Sequence, residues 1–165
     1  MKKLYRWIPS ILLMVLIYLL SAQSYQQQDL RPNIQKSLPT QAVMKYFGGI
    51  DFNYAGKEVS IDQLGIASFI EFFIRKGAHF SIYFMLGISL VYALRTRGRL
   101  QSLIGAILIS CLYACSDELH QSFNPNRSPL FQDVILDTMG ATVGAIVMVI
   151  VLSWIVRRNK AASCN

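Results

Sequence analysis

Four apolar runs constrain this chain more than any other feature. They lie at about 4–22, 77–94, 100–116 and 134–156 of the 165 residues. Each has about the length that crosses roughly 30 Å of hydrocarbon at about 1.5 Å per helical residue. Mean hydropathy is +0.39 and 53% of residues are hydrophobic, so the chain reads as one all-α domain over 1–165, an integral membrane bundle of four transmembrane helices. The first run follows Lys2, Lys3 and Arg6, as a signal peptide would, but its length and the interfacial Trp7 favour a retained helix.

The charges orient the bundle. With the N-terminus inside, the cytoplasmic segments are the residues before Trp7, the turn at Arg95–Arg99 and the tail after Val156. They carry Lys2, Lys3, Arg6, Arg95, Arg97, Arg99, Arg157, Arg158 and Lys160, nine of the 16 basic residues and none of the nine acidic ones. This positive-inside bias puts both termini in the cytoplasm, the protein in the cell membrane as a multi-pass chain, and loop 23–69 outside. The net charge of +7 flanks apolar runs rather than lining a polar face, which points to membrane lipid and excludes nucleic acid as the partner. Cys111, Cys115 and Cys164 form no CxxC pair and read as packing residues, not as a disulfide framework or zinc site.

Between the runs the chain has a loop, Gln23–Ser60, with a short helix expected around Gln41–Phe47. Ser60-x-x-Gln63 has the form of a capping box. The following IDQLGIASFIEFFIRK reads as an amphipathic helix that lies in the interface or leads into the second span.

The polar residues concentrate at one end of the spans. Asp133, Asp137, Gly140 and Gly144 are spaced by four, three and four, so two carboxylates sit above a small-residue groove on one helix face. Tyr113, Asp117, His120 and Gln121 share a face of the third span, with Glu118 at its flank. Lys76, His79 and Tyr83 share a face of the second. Ionisable groups at a membrane edge are costly and mark a site by default, so the three stripes are expected to converge on one outer-face pocket. The turn at Phe123–Arg127 brings Arg127 over its mouth.

Lys76 and Arg127 suit anion binding, and His120 with Asp117 suits proton transfer. Asp133, His79 and Glu118 complete the candidate catalytic set; Gln121, Tyr83 and Asp137 join Lys76 and Arg127 as candidate binding residues. The inventory fits group transfer on a lipid-linked substrate. No cofactor is evident. Carboxylates with histidine are compatible with a divalent metal, but no ligand spacing specifies one, so no metal ligand is assigned. The plainer readings are interhelical ion pairs for Asp137, interhelical hydrogen bonding for His79, and packing for Tyr83 and Tyr113. Two rival functions are a non-enzymatic binding or partner module and a small lipid transporter or flippase subunit. The near absence of charge from the inner halves of the spans counts against transport. The oligomeric state is not indicated.

At these residues the chain resembles the VanZ-like family of bacterial membrane proteins, named for a member linked to teicoplanin resistance. The resemblance rests on Lys76-x-x-His79-Phe80-x-x-Tyr83-x-x-Leu86-Gly87, on Ser116-Asp117-Glu118-x-His120-Gln121-x-Phe123-x-Pro125-x-Arg127, and on Asp133-x-x-x-Asp137-x-x-Gly140-x-x-x-Gly144. Ser21-x-Gln23-Ser24 also looks like the family. Asp137 stands where the family usually has Asn, and Asn126 where Gly is common. The resemblance implies a cell-envelope context with lowered sensitivity to lipoglycopeptides and no settled reaction; the expected partner is a lipid-linked cell-wall precursor or an anionic polymer.

Overall fold

The computed structural model describes residues 4–23, 28–37, 39–123 and 130–162, with backbone alone at 160–162. Among the described residues, four helices are long and apolar enough to cross a membrane: Leu4–Ser21, Ile66–Arg97, Arg99–Ser122 and Phe131–Asn159. The first combines a 3-10 turn at Leu4–Trp7 with α1 (Ile8–Ser21), whose Pro9 stands in the first turn, where no helical N–H is needed. Two short helices follow, α2 (Arg31–Ser37) and α3 (Thr40–Phe47). A hairpin of β1 (Asp51–Tyr54) and β2 (Lys57–Ser60) comes next, then the single turn α4 (Ile61–Leu64). The other spans are α5 (Ile66–Leu94), α6 (Arg99–Ser122) and α7 (Phe131–Ala162).

The spans are longer than the apolar runs that announced them. α5 begins 11 residues before 77, because Glu71, Arg75 and Lys76 are carried on unbroken helix. α6 continues through Asp117, Glu118 and His120 to Ser122. The polar groups therefore stand on rigid helical backbone rather than in loops. Helix Thr40–Phe47 is the one expected near residue 41. The remainder of the supposed irregular loop holds α2 and an antiparallel hairpin pairing Asp51 with Ser60 and Tyr54 with Lys57. Its two-residue turn places Ala55 at φ 54° and Gly56 at φ 78°, and Asn53 Oδ1 accepts from the Gly56 N–H at 2.9 Å. Both central residues have positive φ, the conformation that fits the twist of paired strands. Ser60 caps α4 by accepting from the Gln63 N–H at 3.2 Å. The chain then breaks at Gly65 (φ 74°) and leads directly into α5.

α5 is the hub and packs against α1, α6 and α7. α5 and α7 run parallel, and glycines set their separation. A Cβ on Gly140 would lie 2.5 Å from the Phe80 carbonyl oxygen, and one on Gly144 or Gly87 would collide with the backbone of Phe84 or Ala141. The small-residue groove therefore receives α5. α6 turns Ser102, Ala106, Ser110 and Ala114 inward, followed on the same side by Asp117 and Gln121. Its opposite side exposes Leu100, Ile104, Leu108 and Leu112 at four-residue intervals, an apolar stripe suited to lipid. Ser10 Oγ donates to Ser89 Oγ (3.0 Å) and the Tyr113 hydroxyl donates to the Met14 carbonyl, holding α1 to α5 and α6. A second apolar cluster, Val43, Val59, Ile61 and Phe69, joins the hairpin and α3 to the start of α5.

Candidate functional site

The start of α5, the end of α6 and the start of α7 meet at the end of the bundle that carries the hairpin, opposite the Arg95–Arg99 turn. Because α5 and α7 are parallel, spacings of three on one and four on the other give two rungs. On the first, Lys76 Nζ lies 2.5 Å from Asp133 Oδ1. On the second, His79 Nδ1 lies 3.6 Å from Asp137 Oδ2. The Tyr54 hydroxyl of the hairpin also donates to Asp133 Oδ1, at 2.5 Å. Burial, and then that bond to Asp133, push the Tyr54 hydroxyl well above its ordinary value near 10. The ammonium of Lys76 lies 4.8 Å from the centre of the Tyr54 ring and 5.6 Å from that of Phe72, a cation on two aromatic faces.

α6 contributes the third side. Asp117 Oδ2 accepts from Gln121 Nε2 at 3.0 Å, and the same amide donates to Ser21 Oγ at the end of α1, also at 3.0 Å. One ligand atom from each of His79, Asp117 and Asp137 falls within 4.8 Å of the other two. The three helices thus converge as their spacing predicts. Glu118 Oε2 accepts from the Leu130 N–H at 2.9 Å, tying α6 to the entry of α7, while Oε1 is buried without a hydrogen-bond partner. Tyr83 is wholly buried one turn deeper, and its hydroxyl, like Glu118 Oε1, lacks a partner among the described residues.

His120 stands about one turn along α6 from Asp117. Its ring packs on Tyr18 of α1 with centroids 4.5 Å apart, and it is not in the His79–Asp117–Asp137 group. His79 is the histidine among the acids. The expected turn with Pro125 and Arg127 lies outside the described residues.

A neighbouring network had no place in the sequence reading. Glu71 is 1% exposed and pairs with Arg75 (3.0 Å) and Arg31 (3.7 Å), while its Oε1 accepts from the Leu30 N–H at 3.1 Å. Arg75 also donates to the Gln28 carbonyl at 2.8 Å. This network anchors the segment around α2 on α5. Its only sequence signal was the Glu71–Arg75 spacing of four within an apolar helix. At its edge, Arg31 pairs with Asp29 at 2.6 Å and holds that carboxyl at about 2, below its ordinary 3.8.

Two cavities open on either side of the site. One, of about 390 Å³, lies between α1 and α5, lined mainly by Ile17, Leu20, Ile74, Ala78 and Ile82. The other, of about 400 Å³, lies beneath the hairpin and includes Tyr54, Lys57, Lys76, Gln121 and Asp133. Arg75 and His79 line both. The first is lined mainly by aliphatic side chains, and the second carries Lys57, Arg75 and Lys76 together with Glu58, Glu71 and Asp133.

A family model described as VanZ/LLP1 matches residues 6–152 of the chain. No curated protein and no solved structure matches it.

Proposed function

The chain belongs to the VanZ/LLP1 family, the VanZ-like membrane proteins, and from that premise we propose that it binds an anionic lipid-linked molecule of the cell envelope at the outer leaflet. The single observation that carries this reading is the pair of cavities meeting at Arg75 and His79. An amphiphile has an apolar tail and a charged head. The first cavity offers aliphatic side chains beside the bundle, where a tail enters from the membrane. The second offers the cations Lys57, Arg75 and Lys76 beside the carboxylates Glu58, Glu71 and Asp133, so a phosphate or carboxylate binds there by taking cations from these acids. In this reading Lys76 exchanges part of its contact with Asp133 for the ligand. His79 reaches both cavities beside two carboxylates, where the ligand's head and tail would meet. The positive-inside charge pattern supports an outward-facing site with both termini in the cytoplasm. Occupying or altering a lipid-linked envelope precursor would also lower sensitivity to lipoglycopeptides such as teicoplanin, in keeping with the family's name.

The test is binding of a polyprenyl phosphate to the purified protein in detergent, read by native mass spectrometry. Ala78→Trp, which fills the apolar cavity, and Lys76→Met, which removes a head-group cation, should each weaken binding at least about tenfold, the effect of about 1.4 kcal/mol. Binding unchanged in both variants rules out the two-cavity reading.

A further inference from the structure

Most buried charges at this end of the bundle have hydrogen-bond donors. Asp133 has Lys76 and Tyr54. Glu71 has Arg75 and the Leu30 amide. Asp137 differs: the residue is 0% exposed and neither carboxylate oxygen has a hydrogen-bond partner among the described residues. A desolvated carboxylate without donors is expensive and is offset by its own protonation, by an imidazolium at His79 or by a bound cation.

The surroundings are arranged for a bound cation. Asp137 Oδ2 faces His79 Nδ1 at 3.6 Å, too long for a hydrogen bond. Two ligands bound at about 2.1 Å to one tetrahedral cation stand about 3.4 Å apart, close to what is observed. Asp117 supplies a third ligand atom within 4.8 Å of both. Its orientation is fixed by Gln121, which is itself held by Ser21. Metal-binding carboxylates characteristically have such supporting hydrogen bonds. Each of the three ligands comes from a different helix, on backbone that the glycine contacts between α5 and α7 hold close. His79 also lines both cavities, so the remaining coordination positions are accessible.

We propose that His79, Asp117 and Asp137 bind one divalent transition-metal cation with an open coordination position. One imidazole and two carboxylates suit Mn2+ or Zn2+ better than Ca2+ or Mg2+, which prefer oxygen ligands throughout. The site stands independently of the lipid-linked ligand, because the metal alone fills it.

The full chain is purified in detergent, stripped with EDTA and titrated with MnCl2, with free Mn2+ read by electron paramagnetic resonance, and with ZnCl2 by calorimetry. One saturable site per chain is expected. His79→Gln and Asp137→Asn, each checked for helicity and monodispersity, should weaken it at least about a hundredfold. Gln121→Ala should weaken it about 10–100-fold, as loss of a supporting hydrogen bond does. Lys45→Met, on α3 and outside the triangle, should leave it intact. If Asp137→Asn does not fold, His79→Gln carries the test, since the imidazole is part-exposed. Absence of saturable binding to the wild-type chain at millimolar metal overturns the proposal. So does binding that His79→Gln leaves unchanged, which would be adventitious surface binding.

Discussion

Replacing Glu71 tests the polar framework beside the site. Its side chain is 2% exposed and receives Arg75 Nε at 3.3 Å, Arg75 Nη2 at 3.0 Å and the Leu30 N–H at 3.1 Å. Glu71→Ala removes the acceptor from all three. A charged hydrogen bond contributes about 1.5–3 kcal/mol, and a buried N–H left without an acceptor costs about 1–3 kcal/mol. The Arg31 pair adds little, because Arg31 is 42% exposed and the separation is 3.7 Å. The expected loss is about 3–5 kcal/mol, the range for breaking a buried pair from one side. Glu71→Gln keeps an acceptor oxygen in place and forfeits only the charge, so it should cost about 1–2 kcal/mol. Thermal or denaturant unfolding of the purified protein in detergent, followed by circular dichroism, measures both. The reasoning is refuted if Glu71→Ala unfolds within about 0.5 kcal/mol of wild type, the size of an ordinary surface substitution. It is equally refuted if the Ala and Gln variants coincide.

Other consequences can be measured in the same preparation. Gly144→Val drives a side chain into the Phe84 backbone and should separate α5 from α7, read as loss of monodisperse folded protein. Gly77→Ala meets nothing within 4 Å and should be neutral or stabilise by up to about 1 kcal/mol. Asp29, held at about 2 by Arg31, stabilises the start of α2 above its ordinary 3.8, and that contribution fades as pH falls from about 4 to 2. Amide exchange at Arg31, corrected for intrinsic rate, should accelerate across that window in the wild type and show no such step in Asp29→Asn.

The spans were legible because bilayer thickness imposes a length on any apolar helix. Their ends were legible in part: the amphipathic stretch after Ser60 leads into the second span as one of its two expected readings has it, in one helix from Ile66, whereas α6 continues under Asp117 and Glu118 beyond the point where hydropathy falls. The shared faces of Lys76 with His79 and of Asp133 with Asp137 followed from helical spacing alone. Which residue met which did not, because it depends on α5 and α7 being parallel and in one register, set by Gly140 and Gly144 against Phe80 and Phe84. His120 shares the Asp117 face in a helical projection, but Tyr18 of α1 takes up its ring. The hairpin was hidden because its turn uses Ala55 rather than the Asn or Asp that usually signals such a conformation. Tyr54, which touches Asp133, was missed with it.

The account depends on the hairpin and the polar pocket facing outward, and thiol labelling in intact cells tests this most directly. Asp51→Cys, at the exposed start of the hairpin, and Thr96→Cys, in the exposed turn at the other end of the bundle, are placed separately in a background with Cys111, Cys115 and Cys164 replaced by serine. A membrane-impermeant maleimide should label Asp51→Cys in intact cells and Thr96→Cys only after permeabilisation. The reverse pattern would put the pocket in the cytoplasm and contradict the outer-leaflet function.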